Sequence, residues 1–304
     1  MSKIKDFYQR LLFSFGGNAN FILYKNHLFY KNKISVKNDR ILFFKRWGLI
    51  PLNLETQKME GEEFYLLLIP TDNLAHFFHD VFFPFYVKWR ENKKRVCVSN
   101  NGNKFQREFL ESVIDTKNLI FLEYDQPYSF SDLIISPEGR DLRIYPNFLE
   151  ICNEIKQLCF TRNGLNESRT KNILYGRNEL ERKNLLDIDM EFLDQNKIEL
   201  VHLSKLNFAE TISILSKTKN FIYMVGAGVF YLLFLDRNVH VLEINPYKNN
   251  SWAQMFGLEE ICDLRLLISQ NIKTSDKALQ GDKLLDSHVY FDESVKEAIL
   301  QLPL

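Results

Sequence analysis

From residue 63 onward the chain alternates short, continuous apolar runs with longer stretches whose apolar residues recur every three or four positions. The short runs read as buried strands and the periodic stretches as helices. On that basis FYLLLI (64–69), RVCVS (95–99), NLIFLEY (118–124) and DLIISP (132–137) are strands. DNLAHFFHDVFFPFYVKW (72–89), KFQREFLESVI (104–114) and NFLEICNEIKQLCF (147–160) are helices. The polar stretch TRNGLNESRTKN (161–172), with Gly164, reads as a linker. Beyond it the alternation resumes. Strands are expected at 172–176, 198–203, 220–225 and 239–244, and helices at 188–196, 207–219 and 228–236. Ahead of it all, residues 21–45 carry short apolar runs broken by Lys and Asn, the pattern of a small antiparallel β region.

Repeated β-α units with nearly all-apolar strands call for parallel sheets covered on both faces. Two such blocks predict an α/β protein with two Rossmann-like domains facing across a cleft, over residues 1–162 and 163–304. Composition narrows the function. Lys plus Arg and Asp plus Glu both number 39, so the chain shows no broad electrostatic footprint for nucleic acid. Cys97, Cys152, Cys159 and Cys262 form no metal-binding spacing and read as free thiols of a reducing compartment. The first 21 residues make a poor signal peptide, and no run approaches 18 uninterrupted apolar residues. A cytoplasmic protein is expected, with no transmembrane segment, compatible with peripheral membrane association.

The aromatic stretch at 72–89 holds three polar groups that an ordinary core helix does not need. In a helix His76 and Asp80 stand four apart on one face. Pro84 lacks an N–H, and its ring clashes with the carbonyl of Asp80, so the helix should bend or loosen where the carboxylate sits. Phe78, Phe82, Phe85 and Trp89 form a separate apolar stripe, and Asp72 or Asn73 is placed to cap the start. Two readings stay open: a buried helix whose His and Asp satisfy each other, or a general base held by a histidine. His79 points elsewhere and reads as incidental.

Three further groups carry potential chemistry. Gly226-Ala227-Gly228 turns from a strand into a helix, leaving backbone N–H groups suited to a diphosphate, although glycines also serve as plain turn devices there. Arg177 lies just past a strand's carboxyl end, where open α/β sheets bind ligands; Arg182 and Lys183 follow and either neutralise phosphate or form a solvated loop, the reading that suits Arg182 better. Glu243 closes a strand where a carboxylate can accept from ribose hydroxyls, although by itself it reads as a surface glutamate. Asp187-Ile188-Asp189 has the form of a metal-holding DxD, but it opens a helix and reads better as a cap.

Taken in order, these residues resemble glycosyltransferase family 61. Asn73, His76, Asp80 and Pro84 match its N-terminal signature, and Tyr175, Arg177, Phe208, Glu210, Gly226, Ala227, Gly228 and Glu243 match its C-terminal elements. The resemblance covers roughly residues 60–250. It departs at Gly176 for the usual Ser, Thr211 for Gln, Asp187-Ile188 for Asn-Glu, and Val225 for the His before Gly-Ala-Gly. What it implies is an inverting, metal-independent transferase of GT-B fold, moving a sugar from a nucleotide-sugar co-substrate, often UDP-linked, to a glycan acceptor. No cofactor is expected. Asp80 would be the base and His76 its partner, with the aromatics forming the cleft wall. Asn73, Arg177, Lys183, Gly226, Ala227, Gly228 and Glu243 would hold the nucleotide sugar. The alternative is an inactive member that binds a glycan or nucleotide, which Val225 favours.

Overall fold

The computed structural model describes residues 21–24, 28–30, 33–43, 57–59, 63–67, 69, 74–99, 103–122, 127–135, 147–177, 184–246, 251–268 and 288–304. Asp72, Asn73, Arg182, Lys183 and the first 20 residues lie outside them. The chain divides into two compact units, Met1–Leu142 and Arg143–Leu304.

The first unit contains β1 (Phe21–Tyr24), β2 (Leu28–Tyr30), β3 (Lys33–Phe43), β4 (Gln57–Met59), β5 (Phe64–Leu67), β6 (Arg95–Ser99), β7 (Leu119–Leu122) and β8 (Pro127–Ile135). Four of them, β7-β6-β5-β8, lie side by side and parallel. Counted from β5 their order is 3-2-1-4, a Rossmann-like arrangement that reverses direction between β5 and β8. Antiparallel pairs of β3 with β1, β2 and β8 extend the same sheet. The helix at Lys104–Val113 starts on a capping box in which Asn103 and Gln106 exchange side-chain and backbone bonds.

The helical stretch after β5 is not uniform. Leu74–His76 and Phe83–Trp89 are α-helical, whereas Phe77–Phe82 form a π-helix, with the Phe83 N–H donating to the Phe78 carbonyl five residues back. Pro84 explains this local form: it leaves the Asp80 carbonyl without its usual donor, and the wider turn relieves the ring's clash with it. The aromatic side chains are core. Phe77, Phe78, Phe82 and Phe85 are each 0% exposed, so they pin the stretch to the unit and do not line a cleft as the sequence suggested. Phe109 from the Lys104–Val113 helix meets Phe82 edge-on with centroids 4.6 Å apart and Phe78 at 4.9 Å.

The second unit holds β9 (Lys171–Tyr175), β10 (Leu185–Leu186), β11 (Ile198–Val201), β12 (Thr218–Met224), β13 (His240–Asn245), β14 (Asp263–Ile268) and β15 (Val289–Tyr290). Five run parallel in the order β11-β9-β12-β13-β14. Counted from β9 this is 2-1-3-4-5, the flavodoxin-like order, with its reversal between β9 and β12. Leu174, Ile222, Met224, Leu242 and Ile244 pack on one face with the helices Met190–Gln195 and Glu293–Leu300. The opposite face is covered by Phe208–Leu215, Phe148–Arg162 and the run after β12. That run, Ala227–Phe234, is a 3₁₀ helix and not the α-helix its sequence suggests. Its residues Gly228 to Phe234 are all buried, so packing on every side sets its winding and overrides intrinsic preference.

The helix Phe148–Arg162 belongs to this second unit and rests on Ala227–Phe234. The polar stretch after it is fastened down. Glu167 pairs with the buried Lys156 at 3.1 Å, Arg169 pairs with Asp236, and the backbone N–H groups of Ser168 and Thr170 donate to Ser216 and Lys217. These bonds make the stretch a packed connection into β9. Among the described residues, no helix is long and apolar enough to cross a membrane.

Phe82 is the centre of the aromatic cluster, touching Phe77, Phe78, Phe85, Tyr86 and Phe109. Phe82→Ala should destabilise the first unit by about 3–5 kcal/mol, since so tight a cluster cannot collapse around the void. Urea unfolding monitored in that unit checks this; a loss below about 1 kcal/mol would contradict it.

Candidate functional site

Two groups of residues carry chemistry, one in each unit. The first is built on the π turn. Asp80 accepts from His76 Nδ1 through Oδ2 at 2.7 Å and from His79 Nδ1 through Oδ1 at 2.6 Å. His79 is therefore a partner of the carboxylate, contrary to the α-helical expectation. Adjacent residues of an α-helix do not face each other, but the wider turn brings 79 and 80 closer to one side. The signal was present in Pro84, four residues after Asp80.

The Asp80 side chain is 24% exposed and His76 is 63% exposed, so the cluster opens to solvent at its His76 end. Burial pushes the Asp80 carboxyl up, but the hydrogen bonds and charges of His79 and His76 outweigh it and hold the group below its ordinary 3.8. The carboxylate is ionised at neutral pH with both oxygens oriented.

The second group lies along the carboxyl ends of the second unit's strands. Arg177, two residues past β9, donates from Nη2 to the carbonyl of Val225, just past β12, at 3.3 Å. The two strand ends flank the reversal of strand order, where open α/β sheets bind ligands. Gly226 has φ +149°, a backbone conformation that only glycine takes readily. A Cβ there would come within 2.0 Å of Arg177 Nη2, so the guanidinium occupies the space of the missing side chain. Gly228 repeats the device: its Cβ would approach the Tyr175 ring to 2.6 Å. Tyr-x-Arg and Gly-Ala-Gly, some 50 residues apart in sequence, are thus two halves of one interlock.

Glu243 sits differently from the ribose acceptor expected of it. It is 0% exposed, and Tyr223 donates to it at 2.5 Å. Burial raises its carboxyl above the ordinary value, while bonds from Tyr223, Ser251 and the backbone of Ala253 and Trp252 work the other way. Its oxygens anchor the short helix Trp252–Met255, and a ribose would reach them only by displacing those partners. Glu210 is equally committed, completing the capping box of Asn207. Thr211 is buried with its hydroxyl unpartnered among the described residues, and Val225 is wholly enclosed.

Asp189 caps Met190–Gln195 by accepting from the Phe192 N–H and pairs with Lys296 at 2.8 Å, the capping role its sequence position suggests. The four cysteines are free and buried. Burial pushes Cys97 and Cys262 up to about 12, so neither thiol is a nucleophile near neutrality.

The Tyr175 ring cannot easily yield, because it stacks on Phe221 and meets Tyr231 edge-on. Gly228→Ala should destabilise the second unit by about 1–3 kcal/mol through overpacking. Tyr175→Leu in the same chain should recover part of that loss, a coupling that a double-mutant cycle measures. Losses that simply add would show that the two residues do not compete for space.

The family model for Glycosyltransferase 61 matches residues 74–242. No curated protein matches the chain. The matched region takes in His76, Asp80, Tyr175, Arg177 and the 226–228 turn, while Asn73 and Glu243 fall one residue beyond its two ends. Spanning more than half of the 304 residues and both groups just described, the match shows that the chain belongs to glycosyltransferase family 61.

Proposed function

We propose that the protein is an inverting glycosyltransferase that moves a sugar from a nucleotide-sugar donor, UDP-linked, to a hydroxyl of a glycan acceptor. The observation that carries this reading is the meeting of Arg177 with the Val225–Gly226 turn at the point where the sheet's strand order reverses. A guanidinium beside a glycine turn at that place suits the two phosphates of a nucleotide sugar. Asn73 and Lys183 join the donor contacts in this proposal. Glu243 contributes by holding the 251–255 turn. The two units form a GT-B pair, with acceptor and base in the first and donor in the second.

In the transfer itself, a base takes the acceptor hydroxyl's proton as its oxygen attacks the anomeric carbon. The bond from that carbon to the diphosphate breaks with inversion, and Arg177 takes up the charge of the leaving group. Asp80 is the base. His76 and His79 each occupy one of its oxygens, which fixes the carboxylate's orientation and leaves further lone pairs for the hydroxyl. Glycan synthesis at the cell surface or on glycoproteins is the context such a reaction serves.

A second reading is an inactive member that retains ligand without turnover. The enclosed Val225, in place of the histidine expected before the glycine turn, is the observation that favours it. Release of free nucleotide from a panel of nucleotide sugars separates the two.

Asp80→Asn keeps the shape and much of the hydrogen bonding but removes the basic oxygen. Single-turnover transfer should fall about 10²–10⁴-fold, with donor affinity nearly unchanged. The same substitution bears on acid stability. Because the folded-state carboxyl titrates below its ordinary 3.8, Asp80 adds stability above that pH, and the contribution is lost as pH falls through the lowered value. The stability gap between wild type and Asp80→Asn should therefore close below pH 3.8. Wild-type transfer rates in the variant would leave the His-Asp cluster as a structural pair.

Arg177 and the backbone of the turn supply the positive charge that a metal provides in other transferases, and Asp189 is committed to Lys296 and a helix start. Turnover should persist in EDTA. Activity abolished by chelation and restored by Mn²⁺ would overturn metal independence.

A further inference from the structure

We propose that His202 is a donor-binding residue, its Nε2 accepting a hydrogen bond from a hydroxyl of the nucleotide sugar; this rests on the reading of the second unit as the donor-binding half. His202 immediately follows β11, whose last residue Val201 is in register with Tyr175 of β9. The Gly176 N–H donates to the Val201 carbonyl at 3.0 Å, carrying the ladder one step past the end of β9. His202 closes the exchange, its Nδ1 standing 3.0 Å from the Gly176 carbonyl. A carbonyl only accepts, so Nδ1 carries the proton, and Nε2 of the neutral ring is left as an acceptor. It has no partner among the described residues, and the side chain is half-buried.

The space for this ring exists because residue 176 is glycine. A Cβ at Gly176 would lie 3.0 Å from His202 Cε1, 3.3 Å from Nδ1 and 2.7 Å from Leu200 Cδ1. The serine usual at this position in the family would push against the imidazole. Two departures from the family pattern therefore belong together: Val225 removes an imidazole from the β12 turn, and Gly176 admits one from the end of β11. Along the strand ends the sequence of contacts is continuous, from His202 to Gly176, from the next residue Arg177 to Val225, and on to the Gly226 turn. A ligand held by Arg177 has an imidazole acceptor beside it that reads hydroxyls, and ribose and the transferred sugar both offer them.

The substitutions separate binding from mere support. Asn at 202 places an amide N–H where Nδ1 stands, keeping the tie to Gly176, but has nothing at the position of Nε2. Gln reaches toward that position and loses the tie. Calorimetric titration with UDP, GDP, UDP-glucose, UDP-N-acetylglucosamine, GDP-mannose and pyrophosphate, with melting temperatures in parallel, is the experiment. His202→Asn should melt like wild type and lose about three- to tenfold in affinity for the best nucleotide ligand, as expected for one hydrogen bond. Pyrophosphate, which has neither ribose nor sugar hydroxyls, should bind it unchanged, and His202→Gln should retain more nucleotide affinity than His202→Asn. Loss for both the nucleoside diphosphate and its sugar conjugate assigns the ribose; loss for the conjugate alone assigns the transferred sugar. Arg177→Ala should weaken every ligand, pyrophosphate included. Wild-type affinity in His202→Asn beside weakened Arg177→Ala would overturn the role of His202 and leave the donor site standing. A wild-type protein that binds none of the probes would overturn both.

Discussion

Two missing side chains hold the carboxyl ends of β9 and β12 together in the second unit. Where β12 ends, Gly226 and Gly228 present bare backbone to the end of β9, and Arg177 and Tyr175 fill the places that Cβ atoms would take. Residues two apart on one chain segment thus meet residues two apart on another. The consequence is a guanidinium held against a strand end at the reversal of the sheet's order, with its donors near the backbone of the turn. Any larger residue at either glycine would part the two strand ends. The Ala227–Phe234 run, the helix Phe148–Arg162 and the connection through Glu167 and Arg169 all pack outward from this edge.

In the first unit the organising constraint is one absent hydrogen-bond donor. Pro84 turns six residues of helix into a π turn, and that turn sets two histidines around a single carboxylate. The cost of the irregular winding is offset by aromatic burial: the rings of Phe77, Phe78, Phe82 and Phe85 are completely removed from water and share Phe109 or one another as neighbours. Burial of this extent allows a strained stretch to persist with a polar, partly open face. Irregular helix at a chemically loaded position is a recurrent feature of functional sites.

Carboxylates in this chain divide by environment. Asp80 keeps a path to solvent and is held ionised by imidazoles. Glu243 is sealed in, raised by burial and saturated by a hydroxyl and a helix start. Glu210 and Asp189 are spent on helix caps. Family membership names the reaction class, and these surroundings distinguish Asp80, held by two imidazoles, from carboxylates sealed in or spent on caps.

Local pattern alone determined much of this protein. Apolar runs such as RVCVS and NILYG placed their strands within a residue or so, because a strand buried on both faces has no alternative to continuous hydrophobicity. The order of His76, Asp80, Arg177 and the glycine turn was enough to point to the family. Pro84 announced a loosened helix at Asp80. Other features were decided only by tertiary structure. The α-helical period cannot show that His79 joins its neighbour Asp80, since that contact follows from a π turn. VFYLLF reads as an α-helix until packing on every side winds it as 3₁₀. Glu243 looks like a surface acceptor until Ser251 and Trp252 close over it. His202 carries no motif at all. Its role depends on a strand neighbour 26 residues earlier and on a side chain that Gly176 lacks, and contacts of that kind exist only once the sheet has formed.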